Sequence, residues 1–502
     1  MMQNIITYPL ICHMFFSILL MFFWKNIKIQ KTLSVLGNCI ALCIASFIFY
    51  KIYTDGTLVV NAGNWSAPYG IVFVGDMFAA TLLLLTAIAG LAVSLFSTIS
   101  VINARLRFGF LSVYHFLLLG INGAFLTGDV FNLYVWFEII IISSFVLISI
   151  GGEKNQLEGA VKYFTLNFFG SLIFLTALGT VYGLTGTLNM ADIAIKINQI
   201  NNPVLIDVCG VLFLTAFGIK SALFPLNFWL PASYHAPPSA VSAIFSGLLT
   251  KVGVYALIRM MTLIFPQDEF LKSLLIVLAI LTIFSGSFGA VLQNNIRKAF
   301  SFLIICHMGF MIGGLGVFNA FALSGVIFYL IHDIVVKTNI FMIGGIIYRI
   351  KATTNMKKIG GLYKDMPRLS LLFILVLFSL VGVPPLSGFW PKLSLFLSSY
   401  ESREFVLLGA FILGSLITLL VIARIWSEAF WKTQPKTTRY KKSFIYFDKL
   451  RPLQKWRFVT PVLFLALVSL YIGFGAEHIQ TLSMKIAEDL MNPEHYINAV
   501  LN

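Results

Sequence analysis

Five ionisable side chains lie inside long apolar stretches of this 502-residue sequence. They are one glutamate, Glu138, and four lysines, Lys220, Lys251, Lys337 and Lys392. A charge at the centre of a bilayer costs about 2.5 to 3.5 kcal/mol even on lenient insertion scales, so such residues are rare and usually functional. Burial favours the neutral form of lysine, which can then accept and release a proton, whereas arginine stays charged. We therefore predict that these five residues move protons through a membrane.

Glu138 follows aromatic residues and precedes aliphatic ones in the run Phe-Asn-Leu-Tyr-Val-Trp-Phe-Glu-Ile-Ile-Ile-Ile (131–142). At full burial a glutamate takes up a proton, and beside a lysine such as Lys220 it stays ionised. A carboxylate balanced between these two states can accept and release protons. The alternative is a static ion pair that joins two helices.

Two histidines and an aspartate accompany the lysines in the second half of the chain. His332, Asp333 and Lys337 share one predicted helix, and a spacing of four residues allows Asp333 and Lys337 to pair on one face. His307 lies near the middle of the preceding predicted helix. Because histidine titrates close to neutral pH, we assign His332 to the proton path and treat His307 and Asp333 as accessory candidates. A hydrogen-bonded structural role is the alternative for both histidines.

The composition predicts an all-α polytopic membrane protein. Hydrophobic residues make up 59% of the chain and charged residues 11%. Apolar runs of about 20 residues recur along its whole length, and each can cross a bilayer core as a helix. We predict fourteen transmembrane helices, at residues 6–23, 33–53, 71–97, 108–127, 130–151, 159–185, 203–229, 238–264, 271–292, 298–318, 321–348, 369–397, 405–431 and 458–476.

The net charge of +15 is distributed unevenly among the loops. Lys and Arg concentrate after odd-numbered spans, from Lys25, Lys28 and Lys31 after the first span to the long basic loop after the thirteenth. Positively charged loops stay in the cytoplasm, so both termini are predicted to be extracytoplasmic. The charge sets orientation and does not indicate nucleic-acid binding. The first span is not a cleavable signal peptide, because its lysines follow the apolar run.

Prolines interrupt two of the predicted spans. One interruption follows Lys220, in Phe-Pro-Leu-Asn-Phe-Trp-Leu-Pro (224–231), and the other precedes Lys392, in Pro-Pro-Leu-Ser-Gly-Phe-Trp-Pro (384–391). Proline removes a backbone donor and clashes with the preceding turn, so neither span is a continuous helix. Paired broken helices indicate inverted repeats around a transport path, although a local packing kink is the alternative. The predicted domains are 1–107 (spans 1–3), 108–265 (a first five-helix repeat), 266–431 (a second, inverted five-helix repeat) and 432–502 (a basic cytoplasmic loop, span 14 and a short external tail).

No motif indicates a soluble enzyme. The sequence contains no Walker A motif, no Gly-x-Gly-x-x-Gly after a strand and no His-Glu-x-x-His, and we predict neither catalytic residues nor a cofactor. The sequence does not identify a metal site. The cysteines have no Cys-x-x-Cys spacing and no nearby histidine cluster, which predicts core packing for all five: Cys12, Cys39, Cys43, Cys209 and Cys306.

Several longer motifs resemble a known family. Phe-Gly-Ile-Lys-Ser-Ala (217–222), His-Ala-Pro-Pro-Ser-Ala-Val-Ser-Ala (235–243) and Thr-Lys-Val-Gly-Val-Tyr (250–255), with Glu138, are similar to the antiporter-like membrane subunits shared by respiratory complex I and the Mrp (multiple resistance and pH) antiporters. Within that superfamily, residues 65–71, 331–339 and 384–392 look most like the D subunits of Mrp-type Na⁺/H⁺ antiporters. The resemblance covers roughly residues 70 to 430.

The resemblance implies a proton-translocating subunit of a multisubunit Na⁺ (or other monovalent cation)/H⁺ antiporter, driven by the proton-motive force in a bacterial plasma membrane. The implied partners are other subunits of a hetero-oligomeric complex, the cation, protons and the lipid bilayer. One alternative is a proton-pumping subunit of complex I or of a membrane-bound hydrogenase, and a second is a non-conducting structural subunit with inert ion pairs. The residues that match the family's proton pathway are Glu138, Lys220, Lys251, Lys337 and Lys392, with His332 beside them.

Overall fold

The computed structural model describes residues 3–265, 268–435 and 450–501. A two-stranded antiparallel hairpin, β1 (Leu58–Asn61) and β2 (Val72–Gly75), accompanies the helices. Two segments are π-helical, Phe245–Leu249 and Ser427–Trp431. The α-helices are α1 (Tyr8–Phe22), α2 (Ile27–Asp55), α3 (Met77–Ser100), α4 (Asn103–Arg107), α5 (Phe110–Leu126), α6 (Val130–Ser149), α7 (Lys154–Thr185), α8 (Met190–Ile197), α9 (Pro203–Lys220), α10 (Trp229–Ser233), α11 (Ser239–Ile244), α12 (Thr250–Leu263), α13 (Glu269–Val291), α14 (Ile296–Val317), α15 (Ala320–Lys351), α16 (Leu362–Asp365), α17 (Pro367–Val381), α18 (Phe389–Glu401), α19 (Phe405–Trp426), α20 (Pro452–Phe474), α21 (Ala476–Met491) and α22 (Pro493–Leu501).

The prediction of an all-α polytopic membrane protein is confirmed. Within the described residues, twelve helices are long and apolar enough to cross a bilayer. Two shorter apolar helices, α5 and α17, lie where the fourth and twelfth spans were predicted. The count of fourteen spans, the domain boundaries and the inverted relation of the two repeats stay predictions.

Polar side chains fix where several of these helices begin. Asp129 accepts a hydrogen bond from the backbone nitrogen of Asn132 at the start of α6, at 2.7 Å. Asp76 accepts one from Ala79 at the start of α3, at 2.8 Å. Such caps satisfy backbone donors that the first turn leaves free. Helix α3 therefore begins after Asp76, later than the predicted start at residue 71, because strand β2 occupies the residues before it.

Both predicted interruptions are present. Helix α9 ends at Lys220, and the chain turns through residues 221–228 before α10. Helix α17 ends at Val381, and Gly382 adopts a left-handed conformation with φ of +88°, which glycine reaches without strain. Helix α18 then begins at Phe389. Each break exposes helix ends and backbone carbonyls inside the protein.

A third irregularity was not predicted. The span predicted at 238–264 consists of α11, the π-helical turn Phe245–Leu249 and α12. A π-helical turn contains more residues than an α-helical turn, and such turns are frequent at functional sites. This one ends at Leu249, two residues before Lys251.

The most buried helices are those that carry the predicted proton path. The segment Ser239–Leu263 and helix α15 are surrounded by protein, whereas fewer than half of the residues of α2, α7 and α19 are buried. In a membrane protein the outward faces contact lipid or other subunits. The charged residues of the central helices are therefore shielded from lipid by their neighbours.

The C-terminal tail is helical. Helices α21 and α22 follow α20, and α21 packs against α15 with Ile486, Ala487 and Leu490 buried. The sequence predicts only a short external tail here. Helix α21 escaped prediction because it is amphipathic and carries several charged residues, so it lacks the continuous apolar run of a span.

The prediction of core packing is wrong for two of the five cysteines. Cys12, Cys209 and Cys306 are buried, but Cys39 and Cys43 are exposed on the outer face of α2. Four residues separate the two, so they share one face of the helix. Apolar character did not distinguish a lipid-facing position from a core position, since both favour small apolar residues in a membrane protein.

Candidate functional site

An ion pair and a histidine link three central helices. Lys251 Nζ on α12 lies 2.7 Å from one carboxylate oxygen of Asp333 on α15. The other carboxylate oxygen lies 3.1 Å from Nδ1 of His307 on α14. None of the three side chains is exposed to solvent. Lys251, Asp333 and His307 therefore form one continuous polar chain, which we call the central triad.

The π-helical turn positions Lys251. Its Nζ donates a hydrogen bond to the carbonyl oxygen of Ser246, at 2.7 Å, and Ser246 belongs to that turn. The Ser246 hydroxyl donates to the carbonyl of Lys337 on α15, at 3.1 Å. Gly247 permits this close approach, because a Cβ there would overlap the hydroxyl of Thr338. The turn thus supplies a carbonyl to the lysine and brings α12 against α15.

The ammonium group of Lys337 makes no hydrogen bond with any described residue. Its Nζ atom is buried. The sequence spacing allowed a pair between Asp333 and Lys337, but the Asp333 carboxylate contacts Lys251 and His307 instead. Spacing along one helix does not reveal a lysine on another helix that approaches more closely. One carboxylate thus lies between Lys251 on a second helix and Lys337 one turn away on its own helix.

Lys392 and His332 lie at the second break. Lys392 Nζ donates to the carbonyl of Val381, the last residue of α17, at 2.7 Å. His332 Nδ1 lies 2.8 Å from the hydroxyl of Ser387 within the break. Ser387 in turn lies 2.9 Å from the hydroxyl of Ser469 on α20. The interruption therefore supplies both a carbonyl and a hydroxyl to the predicted path.

Lys220 at the end of α9 and Glu138 on α6 lie on helices that pack beside α7, and the backbone at Lys220 also packs against Gly253 on α12. Lys220 Nζ donates to the hydroxyl of Ser171, at 3.1 Å, and lies 4.6 Å from the centre of the Phe137 ring. Glu138 is half-buried, and its Oε1 atom is buried without a hydrogen-bond partner in the residues described. No ion pair of 4.0 Å or less joins the two side chains in the described ranges. Glu138 therefore lies near the protein surface, and within the described residues no ion pair with Lys220 holds its carboxylate in place.

The structure separates the six predicted path residues into two groups. Lys251, His332, Lys337 and Lys392 are fully or almost fully buried around α15, and the accessory candidates His307 and Asp333 belong to the central triad. Glu138 and Lys220 form a second group beside α7, which adjoins α12 at Gly253. None of the four lysine side chains extends to the surface, since each is at most 4% exposed.

Two further polar contacts were missed. Arg259 on α12 forms an ion pair with Asp76 at 2.6 Å. Each of the two residues lies within or beside an apolar run, which is the same sequence signal that identified Glu138 and the four lysines. His13 and His115 bring their Nδ1 atoms within 3.1 Å of each other among α1, α2 and α5, with both rings buried. The hundred residues between them hide this pairing from any local pattern. No group of three or more His, Cys, Asp or Glu residues suited to a metal ion occurs among the described residues.

Comparisons with known proteins agree with this architecture. The family model described as NADH:quinone oxidoreductase/Mrp antiporter, transmembrane, matches residues 127–418. The chain is 38% identical over 501 residues to the D subunit of the Na⁺/H⁺ antiporter from Alkalihalophilus pseudofirmus. It is 40% identical over 505 residues to the protein of the same name from Bacillus subtilis. Both alignments cover 100% of this chain and 100% of the relative.

Solved structures show the same fold. A chain of the Mrp complex from Dietzia sp. DQ12-45-1b superimposes with a TM-score of 0.90 at 25% identity, covering 100% of this chain and 99% of that one. A chain of the membrane-bound sulfane sulfur reductase, an archaeal respiratory membrane complex, gives a TM-score of 0.88 at 28% identity, covering 99% of each chain. On the matched segment and the full-length identity, this chain belongs to the NADH:quinone oxidoreductase/Mrp antiporter family of transmembrane subunits.

Proposed function

We propose that this chain is the proton-translocating subunit of a multisubunit Na⁺ (or other monovalent cation)/H⁺ antiporter driven by the proton-motive force. The observation that carries the proposal is the central triad, a buried titratable chain that crosses three helices. The full-length relatives named as Na⁺/H⁺ antiporter subunits support the antiport reaction. The chain is a transporter component and not an enzyme.

The triad and Lys337 share one negative charge. Lys251 contacts Asp333 directly, and Lys337 lies one helical turn beyond it without a partner of its own in the described chain. A buried charge is tolerated when it is paired, and one carboxylate offsets only one ammonium group. A proton on Lys251 therefore disfavours a second proton on Lys337. This competition allows a proton that arrives on one side of Asp333 to drive release on the other.

Transfer continues toward the second break. His332 precedes Asp333 in the chain and contacts Ser387, while Lys392 lies beyond the break. Neutral imidazole has one nitrogen that donates and one that accepts, so a histidine can pass a proton between neighbours. In this scheme a proton moves from Lys251 past Asp333 to His332 or Lys337, and Lys392 discharges it on the far side. His307 holds the second oxygen of Asp333 and orients the carboxylate.

Glu138 and Lys220 connect the subunit to a neighbour. Glu138 is half-buried with one oxygen unpartnered in the described chain, which suits a residue at a subunit interface. Glu138 directly follows Phe137 on α6, and the Lys220 ammonium lies 4.6 Å from the centre of the Phe137 ring, so the two charges are close enough to interact. A change of charge on either residue therefore changes the electrostatic energy of the other. The match to a chain of the Mrp complex supports assembly with other subunits.

The complex lies in the bacterial plasma membrane with both termini outside the cell. The twelve apolar helices require a membrane, and the relatives are bacterial proteins. The uneven distribution of Lys and Arg among the loops favours this orientation. The β-hairpin, the end of α12 and helices α21 and α22 then belong to the extracytoplasmic side.

A second candidate function has one observation in its favour. The match to a chain of an archaeal respiratory complex is almost as close as the match to the Mrp complex. That candidate is a membrane subunit that pumps protons in response to electron transfer. It differs from antiport in its energy source, since a respiratory subunit moves no protons without a redox donor.

Reconstitution of the whole complex in proteoliposomes separates these functions. An imposed Na⁺ gradient, without any electron donor, is expected to move protons in the opposite direction, measured with a pH-sensitive dye. Counting Na⁺ against H⁺ in the same vesicles gives the stoichiometry. The chain alone is expected to give no exchange, because a relay that ends laterally at Glu138 lacks its neighbour. Absence of Na⁺-driven proton movement in the whole, intact complex would contradict antiport.

A further inference from the structure

A cavity with both apolar and charged lining residues lies at the end of α12, below the C-terminal helices. Its volume is about 510 Å³, and its lining comes from the start of α3, the end of α12, and helices α21 and α22. The rim includes exposed charged residues, Lys485, Asp489 and His495. The floor contains Arg259, which is only 4% exposed. The cavity therefore connects the surface with a buried charge on the helix that carries Lys251.

The floor of the cavity is closed by an ion pair inside a ring of aromatic residues. Arg259 Nη2 lies 2.6 Å from Asp76, whose side chain is 17% exposed. The guanidinium lies between 5.0 and 5.7 Å from the ring centres of Phe78, Tyr255 and Tyr496. Tyr496 belongs to α22, so the tail supplies one wall of this enclosure. A motion of α22 would open one side of it.

The same face of α12 leads from the cavity to the central triad. Lys251, Tyr255 and Arg259 follow each other at intervals of four residues, and a helix rises about 1.5 Å per residue. Arg259 is thus about two turns above Lys251. Unpartnered buried hydroxyls of Thr250 and Ser221 occur near the lower end, within the described structure. These groups are polar enough to hold water beside a lysine that must exchange protons.

We propose that this cavity is a gated half-channel that gives Lys251 access to water from the extracytoplasmic side, with the Arg259–Asp76 pair as its gate. This proposal rests on the proposed function. It adds a route by which protons reach Lys251, and this route is separate from their release through Lys392. In the closed state the paired side chains of Arg259 and Asp76, with the Tyr255 and Tyr496 rings around them, fill the space between the cavity and Lys251. The gate opens when Arg259 leaves Asp76 and α22 moves away.

Cysteine accessibility tests the route without relying on transport. In an assembled complex whose native cysteines in this chain are replaced by serine, Thr262→Cys reports on the cavity and Ile258→Cys on the buried position directly before Arg259 at the depth of the gate. Thr262 lines the cavity, and Ile258 is fully buried. A small, membrane-impermeant methanethiosulfonate is added to the outer side of right-side-out vesicles, and to inverted vesicles as the control for sidedness.

We expect Thr262→Cys to react from the outer side and Ile258→Cys to react slowly. Asp76→Asn keeps a side chain that can cap α3 but removes the charge that holds Arg259. It is expected to increase the labelling rate of Ile258→Cys about tenfold, equivalent to about 1.4 kcal/mol in the opening equilibrium. Tyr496→Ala leaves the ion pair in place and is expected to act in the same direction, which covers the case in which Asp76→Asn does not assemble.

Three outcomes overturn the gate. One is equal labelling of Ile258→Cys with and without the gate substitutions. A second is no labelling of Ile258→Cys in either gate variant while Thr262→Cys reacts normally. The third is labelling from the cytoplasmic side only. None of these results affects the proposed antiport reaction, because labelling requires no cation exchange, whereas failed exchange in the reconstituted complex would leave the labelling pattern unchanged.

Discussion

Lys251 and Asp333 form an ion pair of 2.7 Å in which neither side chain is exposed. Such a pair is costly to desolvate and is therefore a weak source of stability compared with apolar packing. Its removal is nevertheless harmful, because the partner that remains is an uncompensated buried charge. The pair and its neighbours give several expectations that separate a proton relay from a structural scaffold.

The first prediction concerns the carboxylate. Asp333→Asn leaves Lys251 buried without its counter-charge, which costs about 3 to 5 kcal/mol. We expect less assembled complex and no antiport from the complex that remains, measured as Na⁺-dependent pH change per assembled complex. The matched control is Glu158→Gln, which breaks an exposed pair with Lys162 and is expected to leave assembly and antiport at the parent level, because exposed ion pairs contribute little to stability.

The double variant Asp333→Asn with Lys251→Met distinguishes a structural role of the ion pair from a role in proton transfer. Because it removes both charges, assembly is expected to recover toward the parent level while antiport stays absent. Recovery of both assembly and antiport would contradict a role of the triad in proton transfer.

The second prediction concerns Glu138. Glu138→Gln keeps the shape and hydrogen-bonding capacity of the side chain but removes its titratable charge. Antiport is expected to be lost in a complex that still assembles, and Glu138→Asp is expected to keep partial activity. The measurement is dye-monitored exchange in inverted vesicles, with assembly quantified in the same membranes. Equal exchange by the parent and the Gln variant would remove Glu138 from the proposed path.

The third prediction concerns the contact between α12 and α15. Gly247→Ala places a Cβ against the hydroxyl of Thr338 and is expected to destabilise the protein by about 1 to 3 kcal/mol through overpacking. A lower temperature of thermal inactivation of the assembled complex would show this. Gly179→Ala is the control, because its Cβ meets open space. If both variants inactivate at the same temperature, the close approach at Gly247 has no energetic importance.

The sequence predicts the helical membrane fold and a set of candidate residues for the path, but it does not predict how these residues pair. Apolar runs, buried lysines and proline breaks are local signals, and each identifies a position within a helix. The partner of Asp333 depends on how α12 and α15 are rotated against each other, which no local signal contains. The π-helical turn at Phe245–Leu249 changes this rotation and has no distinct pattern of its own.

Local sequence signals also do not predict the gate, whose residues come together at helix ends. Arg259 and Asp76 are separated by more than 180 residues along the chain and meet only after folding. The amphipathic tail that contributes Tyr496 resembles a soluble helix, and the sequence predicts only a short external tail there. Long-range pairs and helix rotation therefore come from tertiary packing.

The central claim is that a buried lysine beside Asp333 loses its proton in every cycle. Lys337 tests it most directly, because its Nζ has no hydrogen-bond partner among the described residues whose loss would complicate the result. Lys337→Arg keeps the positive charge but blocks deprotonation, since arginine stays protonated in proteins. Lys196→Arg on α8, in a partly exposed pair with Asp192, is the control for the exchange of residue type.

The measurement is Na⁺-induced dequenching of a pH-sensitive dye in inverted vesicles, divided by the amount of assembled complex in the same preparation. The relay predicts that Lys337→Arg assembles and exchanges cations slowly or not at all, while Lys196→Arg matches the parent. Full exchange by Lys337→Arg would contradict the relay, because Lys337 would then supply only a fixed charge and protons would have to cross elsewhere.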